Sequence, residues 1–215
     1  MQEEPFAPSE QRLETLGFET IIAGLSKNGW AIVNNIFPDE LLSHLSEELR
    51  SLDKKNMLEK AGIGRGKDYT KTEAIRKDKI HWLNGDTLAQ RIFLEEIERL
   101  RLEINRHLML GLFDYEALYA IYEPGAFYKR HLDSFKGEKN RIISTVLYLN
   151  ENWLEEDGGL LKLYKNAKAK KAFASIEPRM GTFAVFLSEE IPHEVTTAKN
   201  KRLSIAGWLR CNQTL

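Results

Sequence analysis

Beyond residue 117 the sequence breaks into short runs rich in β-branched and aromatic residues, closely spaced and separated by turn residues. The runs are Leu118 to Tyr122, Phe127 to Leu132, Ile142 to Leu149, Leu160 to Tyr164, Phe173 to Ile176, Thr182 to Leu187 and Arg202 to Leu209. Pro124-Gly125, Asp157-Gly158-Gly159, Pro178 to Gly181 and Lys199 to Lys201 punctuate them. Runs this short with turn chemistry between them predict seven or eight strands, closing as a sandwich, a barrel or a jelly roll.

The first half has the other periodicity. Leu13, Leu16, Ile21, Ile22 and Leu25 form a helical apolar stripe that Asn28-Gly29 ends, and Trp30 to Val33 reads as a short strand. Pro38 stands where a first helical turn tolerates proline, followed by Leu41, Leu42, Leu45 and Leu49. A third helix is predicted from about Thr87 to His107, carrying Ile92, Phe93, Ile97, Leu100 and Ile104. Helices first and strands second predict an α+β fold with the helices packed outside the strand core. A chain of 215 residues fits a single domain, 1–215, with 1–115 as mostly helical support and 116–210 as the strand core. Between the second and third helices, residues 61–79 hold Gly62, Gly64, Gly66, Arg65, Lys67, Lys71, Arg76, Lys77 and Lys79 with little apolar content. A loop this long inside a compact domain is expected to be functional or disordered. Ile80-His81-Trp82 then returns to the core as a strand.

Composition excludes more than it names. With 31 basic against 32 acidic side chains, nothing pulls the whole chain toward nucleic acid or an anionic membrane. A single cysteine, Cys211, excludes an internal disulfide and a cysteine-based zinc or iron–sulfur cage. No run approaches the roughly 20 apolar residues that span a bilayer. The start, Met-Gln-Glu-Glu-Pro, lacks the basic and apolar regions of a secretory signal, so a cytoplasmic setting is expected.

Only five histidines are available to any metal site: His44, His81, His107, His131 and His193. His44 and His107 fall on amphipathic helices as surface or cap residues, and His81 beside Trp82 reads as packed rather than ligating. His131 and Asp133 lie two apart in a strand-like segment, a spacing that projects both side chains to one face. Alone, His-x-Asp is a weak motif. His193 follows 60 residues after Asp133, and Arg202 heads the last strand. Two histidines and one carboxylate with half the coordination sphere open is the arrangement of mononuclear non-haem Fe(II) oxygenases. An arginine nearby can hold the far carboxylate of a dicarboxylate cosubstrate by a two-pronged contact. On the last strand Arg202, Ser204, Ala206 and Trp208 share one face, and Leu203, Ile205 and Leu209 the other.

Several motifs then agree in order. Tyr122-Glu-Pro-Gly125, Tyr128-Lys-Arg-His131-Leu-Asp133 and Thr145-Val-Leu-Tyr148-Leu-Asn150 are followed by Glu156-Asp-Gly158-Gly159-Leu-Leu-Lys-Leu-Tyr164. Ile176-Glu-Pro178 and Pro192-His193-Glu-Val195 come next, with Arg202 nine residues after His193 and Trp208 six after Arg202. With Asp78-Lys-Ile80-His-Trp82 upstream, residues 74 to 210 resemble the 2-oxoglutarate- and Fe(II)-dependent prolyl hydroxylases. The resembling branch contains the hypoxia-inducible-factor prolyl hydroxylases and their bacterial relatives. The resemblance implies an enzyme with a double-stranded β-helix (jelly-roll) core. It implies His131, Asp133 and His193 as iron ligands and Arg202 as the partner of the distal carboxylate of 2-oxoglutarate, assisted by Tyr148. Tyr122 matches a tyrosine near the iron-binding end of the cosubstrate, and Trp208 a tryptophan lining the pocket. Ala206 departs from the hypoxia enzymes, which carry a threonine there.

The same resemblance implies Fe(II), 2-oxoglutarate and O2, with ascorbate as a candidate reductant, and decarboxylation of 2-oxoglutarate to succinate and CO2. Loop 61–79 takes the place of a substrate lid, and Arg76, Asp78 and Arg141 are its candidate residues. An Asp78–Arg141 ion pair is expected to anchor its end. The implied partner is a protein with an exposed prolyl loop, elongation factor Tu being a candidate, with neither membrane nor nucleic acid involved. The alternatives are a small-molecule or nucleic-acid substrate, or a catalytically silent binding module. Nucleic-acid demethylases of the superfamily carry a second arginine where this chain has Trp208, and a silent module needs none of the three ligands.

Overall fold

In the computed structural model, residues 15–62, 74–134 and 140–211 are described. Gly64, Arg65, Gly66, Lys67 and Lys71 of the predicted loop, and Leu13 of the first helical stripe, lie outside the described residues.

Three helices form where the 3.6-residue periodicity placed them: α1 (Thr15–Asn28), α2 (Asp39–Lys54) and α3 (Leu88–Leu108). Pro38 is the N-cap of α2 rather than part of its first turn, and Asp39 and Glu40 place negative charge at the positive helix end. Thr87 caps α3, its hydroxyl accepting the Gln90 N–H at 3.2 Å. Gln90 and Thr87 of this helix start, with Tyr119 behind them, all donate to Glu48 of α2, so one carboxylate ties two helices to the sheet.

Eleven strands occur among the described residues. The first four are β1 (Trp30–Asn34), β2 (Glu59–Lys60), β3 (Asp78–Trp82) and β4 (Leu112–Tyr122). They are followed by β5 (Tyr128–His131), β6 (Arg141–Tyr148), β7 (Leu161–Leu163) and β8 (Ala174–Ile176). The last are β9 (Thr182–Leu187), β10 (His193–Val195) and β11 (Arg202–Cys211). A seven-stranded sheet runs β1-β9-β6-β11-β4-β3-β2, and a four-stranded sheet runs β5-β10-β7-β8. Three elements differ from the sequence reading. β4 starts earlier, because the alternation Leu112-Phe113-Asp114-Tyr115-Glu116 pairs with the far end of β11. The two-residue β2 and three-residue β10 are too short to leave any periodic signal.

The large sheet is buried on both faces. Phe18, Ile21 and Leu25 of α1, Leu41, Leu45 and Leu49 of α2, and Phe93, Ile97, Leu100 and Ile104 of α3 pack on one of them. They meet Tyr119, Ile121, Ile143, Leu147, Phe183, Leu203, Ile205 and Leu209. Each such side chain contributes about 1.5–3 kcal/mol by leaving water. The other face looks at the small sheet across Leu118, Ala120, Tyr122, Tyr148, Phe186, Leu161, Leu163, Val195 and Trp208. The predicted parity of β11 is therefore observed: Leu203, Ile205 and Leu209 point to the helices, and Ala206 and Trp208 to the space between sheets. This is the two-sheet jelly roll with helices outside. Among the described residues, no helix is long and apolar enough to cross a membrane.

Candidate metal centre

His131 ends β5 and His193 begins β10, and the two are direct register partners across the small sheet. Their rings lie 4.3 Å apart between centroids. Asp133 sits beyond the end of β5, not within it, and its carboxylate reaches both: Oδ1 is 3.4 Å from His131 Nε2 and Oδ2 is 3.4 Å from His193 Nε2. The ligand atoms of all three lie within 4.8 Å of one another.

Neighbouring groups fix the tautomers. His131 Nδ1 lies 2.7 Å from the Lys129 carbonyl, and His193 Nδ1 lies 3.1 Å from the Ile191 carbonyl. A carbonyl only accepts, so Nδ1 carries the proton in both rings and each Nε2 turns a lone pair toward Asp133. Burial pushes the His193 imidazole down to about 4, against the attraction of Asp133, which keeps it a neutral ligand. Burial disfavours the charged Asp133 carboxylate, and the Ser144 hydroxyl, donating to Oδ2 at 2.7 Å, opposes it by stabilising the ionised form. Two imidazoles offering Nε2 and one carboxylate, able to converge on a single point, suit a divalent first-row metal with open positions. Of the other histidines, His44, His81 and His107 engage the carbonyls of Glu40, Met57 and Glu103, and none joins the cluster.

The three ligands open onto a cavity of about 480 Å³ between the sheets, shared with Tyr122, Arg202 and Trp208. Arg202 is only 1% exposed. Its Nε donates to the Gly159 carbonyl at 2.9 Å and its Nη1 to Ser204 Oγ at 3.1 Å. The rings of Tyr122 and Tyr148 each lie 4.8 Å from its Cζ.

Residues 117–210 match the model of the 2OG-Fe(II) oxygenase superfamily. The fold superposes on a prolyl-4-hydroxylase of Pseudomonas putida with a TM-score of 0.82 and 39% identity, covering 90% of this chain and 98% of that one. The chain belongs to the 2-oxoglutarate- and Fe(II)-dependent prolyl hydroxylases. A prolyl hydroxylase of Trichoplax adhaerens, solved with a peptide of hypoxia-inducible factor, matches with a TM-score of 0.80 and 25% identity over 90% of this chain and 88% of that one. A hypoxia-inducible factor prolyl hydroxylase of Caenorhabditis elegans is 27% identical over 202 residues. The chain spans 28% of that relative's length.

A prolyl hydroxylase of this kind uses Fe(II), 2-oxoglutarate and O2, and the residues here fit them. The His-Asp-His donors fit the iron. Among the described residues Arg202 has no carboxylate partner, and the Tyr148 hydroxyl is buried without a hydrogen-bond partner. A buried cation without an anion costs several kcal/mol, and a dicarboxylate supplies that anion and an acceptor for the phenol. Burial raises the Tyr148 phenol, with Arg202 opposing it, so that hydroxyl remains a donor.

One expectation fails. Asp78 and Arg141 do not pair with each other: Asp78 takes both Nε and Nη2 of Arg76, and Arg141 donates to Glu116 Oε1 at 2.8 Å. Arg76 is two residues from Asp78 and presents its fork to both carboxylate oxygens, whereas Arg141 lies over the Trp208 ring, its Cζ 3.6 Å from the centroid. Sequence reading also missed four contributors. Ser144 donates to Asp133, Ser188 meets Ser144, and Tyr128 stacks on His131. Gly159 lets Arg202 pass: at φ +61° its absent Cβ would stand 3.0 Å from Arg202 Cδ. Tyr128 and the Gly158-Gly159 pair stand within the sequence motifs, but the motifs assign Tyr128 no role and mark the glycines as a turn; Ser144 and Ser188 leave no signal.

Proposed function

We propose that this chain hydroxylates a prolyl residue, at the 4-position, in an exposed loop of a protein substrate, with helices and jelly roll acting as one catalytic domain. The observation that carries this reading is Arg202: a buried cation with no carboxylate partner among the described residues, opening on the same cavity as His131, Asp133 and His193. A dicarboxylate held at one end by Arg202, with the Tyr148 hydroxyl donating to it, reaches the metal ligands with the other. In this reading His131, Asp133 and His193 hold the iron through two Nε2 atoms and one carboxylate. Bound Fe(II) supplies oxygen activation, in which 2-oxoglutarate becomes succinate and CO2 and one atom of O2 enters a substrate C–H bond. Tyr122 and Trp208 close the cavity walls, which excludes water from the reacting end. Ascorbate would serve only to return oxidised iron to Fe(II).

The protein substrate is inferred from the relatives. The Trichoplax adhaerens enzyme is solved with a hypoxia-inducible factor peptide, and elongation factor Tu is one candidate for this chain. A nucleic-acid substrate is disfavoured by Trp208, which stands where nucleic-acid demethylases carry a second arginine.

The test incubates the protein with Fe(II), 2-oxoglutarate and either proline-containing loop peptides or elongation factor Tu. Succinate and a single-oxygen mass increase on proline should appear together. Succinate without peptide oxidation would remove the substrate assignment and leave the oxygenase. No succinate, with no difference between wild type and His131→Ala, would remove both.

A further inference from the structure

Three side chains, two from β5 and one from the stretch before β3, form a column that ends on a candidate metal ligand. The Tyr128 ring stacks on the His131 imidazole, 3.6 Å between centroids and 16° between planes. The Arg76 guanidinium lies over the same Tyr128 ring, its Cζ 4.5 Å from the centroid. Arg76 is itself fixed: Nε and Nη2 both donate to the Asp78 carboxylate, whose side chain is fully buried, and Nη1 donates to the Gly62 carbonyl at 3.3 Å. Its backbone runs beside β5, with Arg76 bridged to Tyr128, Lys129 N–H donating to Ile75 and Lys77 N–H to Phe127.

Residues three apart on a regular strand point to opposite faces, so Tyr128 and His131 should not meet. They meet because β5 is bulged. His131 pairs with His193 and Tyr128 with Val195, so Lys129 and Arg130 together oppose the single residue Glu194. The extra residue turns Tyr128 onto the face of His131, a use of bulges common beside active sites.

Two contacts together constrain the His131 ring. Its Nδ1–H donates to the Lys129 carbonyl, but one hydrogen bond leaves the ring free to swing about the N–H···O axis. A parallel ring in van der Waals contact removes that freedom. We propose that Arg76 and Tyr128 are positioning residues for the metal centre, holding the plane of His131 so that metal affinity depends on the Tyr128 ring face and not on its hydroxyl. This rests on His131 being an iron ligand. Arg76 acts through Tyr128, and Asp78 acts through Arg76, so the chain stretch on either side of residues 63–73 is tied to the geometry of the metal.

The experiment is a Co(II) titration of the metal-free full chain, without 2-oxoglutarate, followed by visible absorption. Tyr128→Leu should weaken Co(II) binding about 10- to 100-fold, the usual cost of losing a group that orients a ligand. Tyr128→Phe should bind within about twofold of wild type. Arg76→Lys keeps charge against Asp78 but loses the flat fork; it should weaken binding about tenfold in wild type and not further in the Tyr128→Leu background. Equal losses from Arg76→Lys in both backgrounds, or Tyr128→Phe as weak as Tyr128→Leu, would overturn the proposal. So would unchanged affinity in Tyr128→Leu. If Tyr128→Leu lowers the thermal midpoint of the metal-free protein, Arg76→Lys carries the test by itself, and unchanged affinity there overturns it. Wild type that binds no Co(II), or His131→Ala that binds it as well, would instead remove the metal ligand reading on which the proposal rests.

Discussion

Ser144 donates its hydroxyl to Asp133 Oδ2 at 2.7 Å, and the Ser188 hydroxyl lies 2.8 Å behind it. Because Ser144 spends its proton on the carboxylate, Ser188 must donate to Ser144, and the relay fixes which lone pairs of Asp133 remain for metal. Ser144→Ala is expected to weaken Fe(II) or Co(II) binding about tenfold while leaving the fold intact. Metal titration checks this, with far-UV circular dichroism as the control. Ser188→Ala should weaken it less, since it acts one bond further out.

Arg202 holds a buried charge that no described carboxylate answers, so it should serve binding at the expense of stability. Arg202→Met is expected to abolish detectable 2-oxoglutarate binding by calorimetry. The same variant, without ligands, should melt at or above the wild-type temperature, by about 2–4 °C for each kcal/mol recovered from burying the charge. A lower midpoint with retained 2-oxoglutarate affinity would contradict the role of the guanidinium.

Gly159 tests the approach of backbone to Arg202. Alanine there must adopt φ +61° and place a methyl 3.0 Å from Arg202 Cδ and 3.2 Å from Trp153. Gly159→Ala should cost about 1–2 kcal/mol from the backbone conformation alone. It should also raise the KM for 2-oxoglutarate, as Arg202 is pushed aside. Denaturant unfolding and steady-state kinetics measure the two effects separately.

The observed partners of Asp78 change the expected outcome of a charge swap. Asp78→Asn leaves Arg76 largely buried without its carboxylate and should destabilise by about 3–5 kcal/mol. Reversing the charges at Asp78 and Arg141 together should give roughly additive losses, because Arg141 is engaged with Glu116 and stacked on Trp208. Rescue in the double reversal would show the two residues to be coupled after all.

At the other edge of the β11 start, Lys201 Nζ lies 2.6 Å from Asp53 Oδ2, and this hydrogen bond lowers the Asp53 carboxyl from its ordinary 3.8. A depressed carboxyl stabilises the fold above its unfolded value, and that contribution disappears as the pH falls through the lower folded value. Lys201→Met should therefore flatten the acid limb of thermal midpoint against pH below about 4, and leave the neutral region nearly unchanged. Thermal melts across an acid pH series check it.

Much of this molecule is legible in single stretches of sequence. The three helices declare themselves by period, since Leu41, Leu45 and Leu49, or Phe93, Ile97, Leu100 and Ile104, must share one buried stripe. Parity on β11 separates the Arg202 face from the Leu203 face before any neighbour is known. The ordered motifs around His131, Asp133, His193 and Arg202 point to the iron and the dicarboxylate, because those chemistries demand particular residue types.

What lies across the gaps was not legible. That His131 faces His193 depends on a three-residue strand, too short for any local pattern. Ser144 and Ser188 are ordinary serines until folding sets them against Asp133, and Arg76 is one cation among many until a bulge turns Tyr128 toward His131. The choice between Arg76 and Arg141 as the partner of Asp78 was likewise made by geometry, since charge type alone fits both. Sequence by itself determined the three helices, the longer strands, their buried faces and the chemical kind of the site, because these follow from periodicity and from what each side chain can do. Tertiary structure alone decided which groups orient the ligands, because hydrogen bonds and ring stacking act over a few ångströms, and only folding brings residues so far apart in the chain within that range.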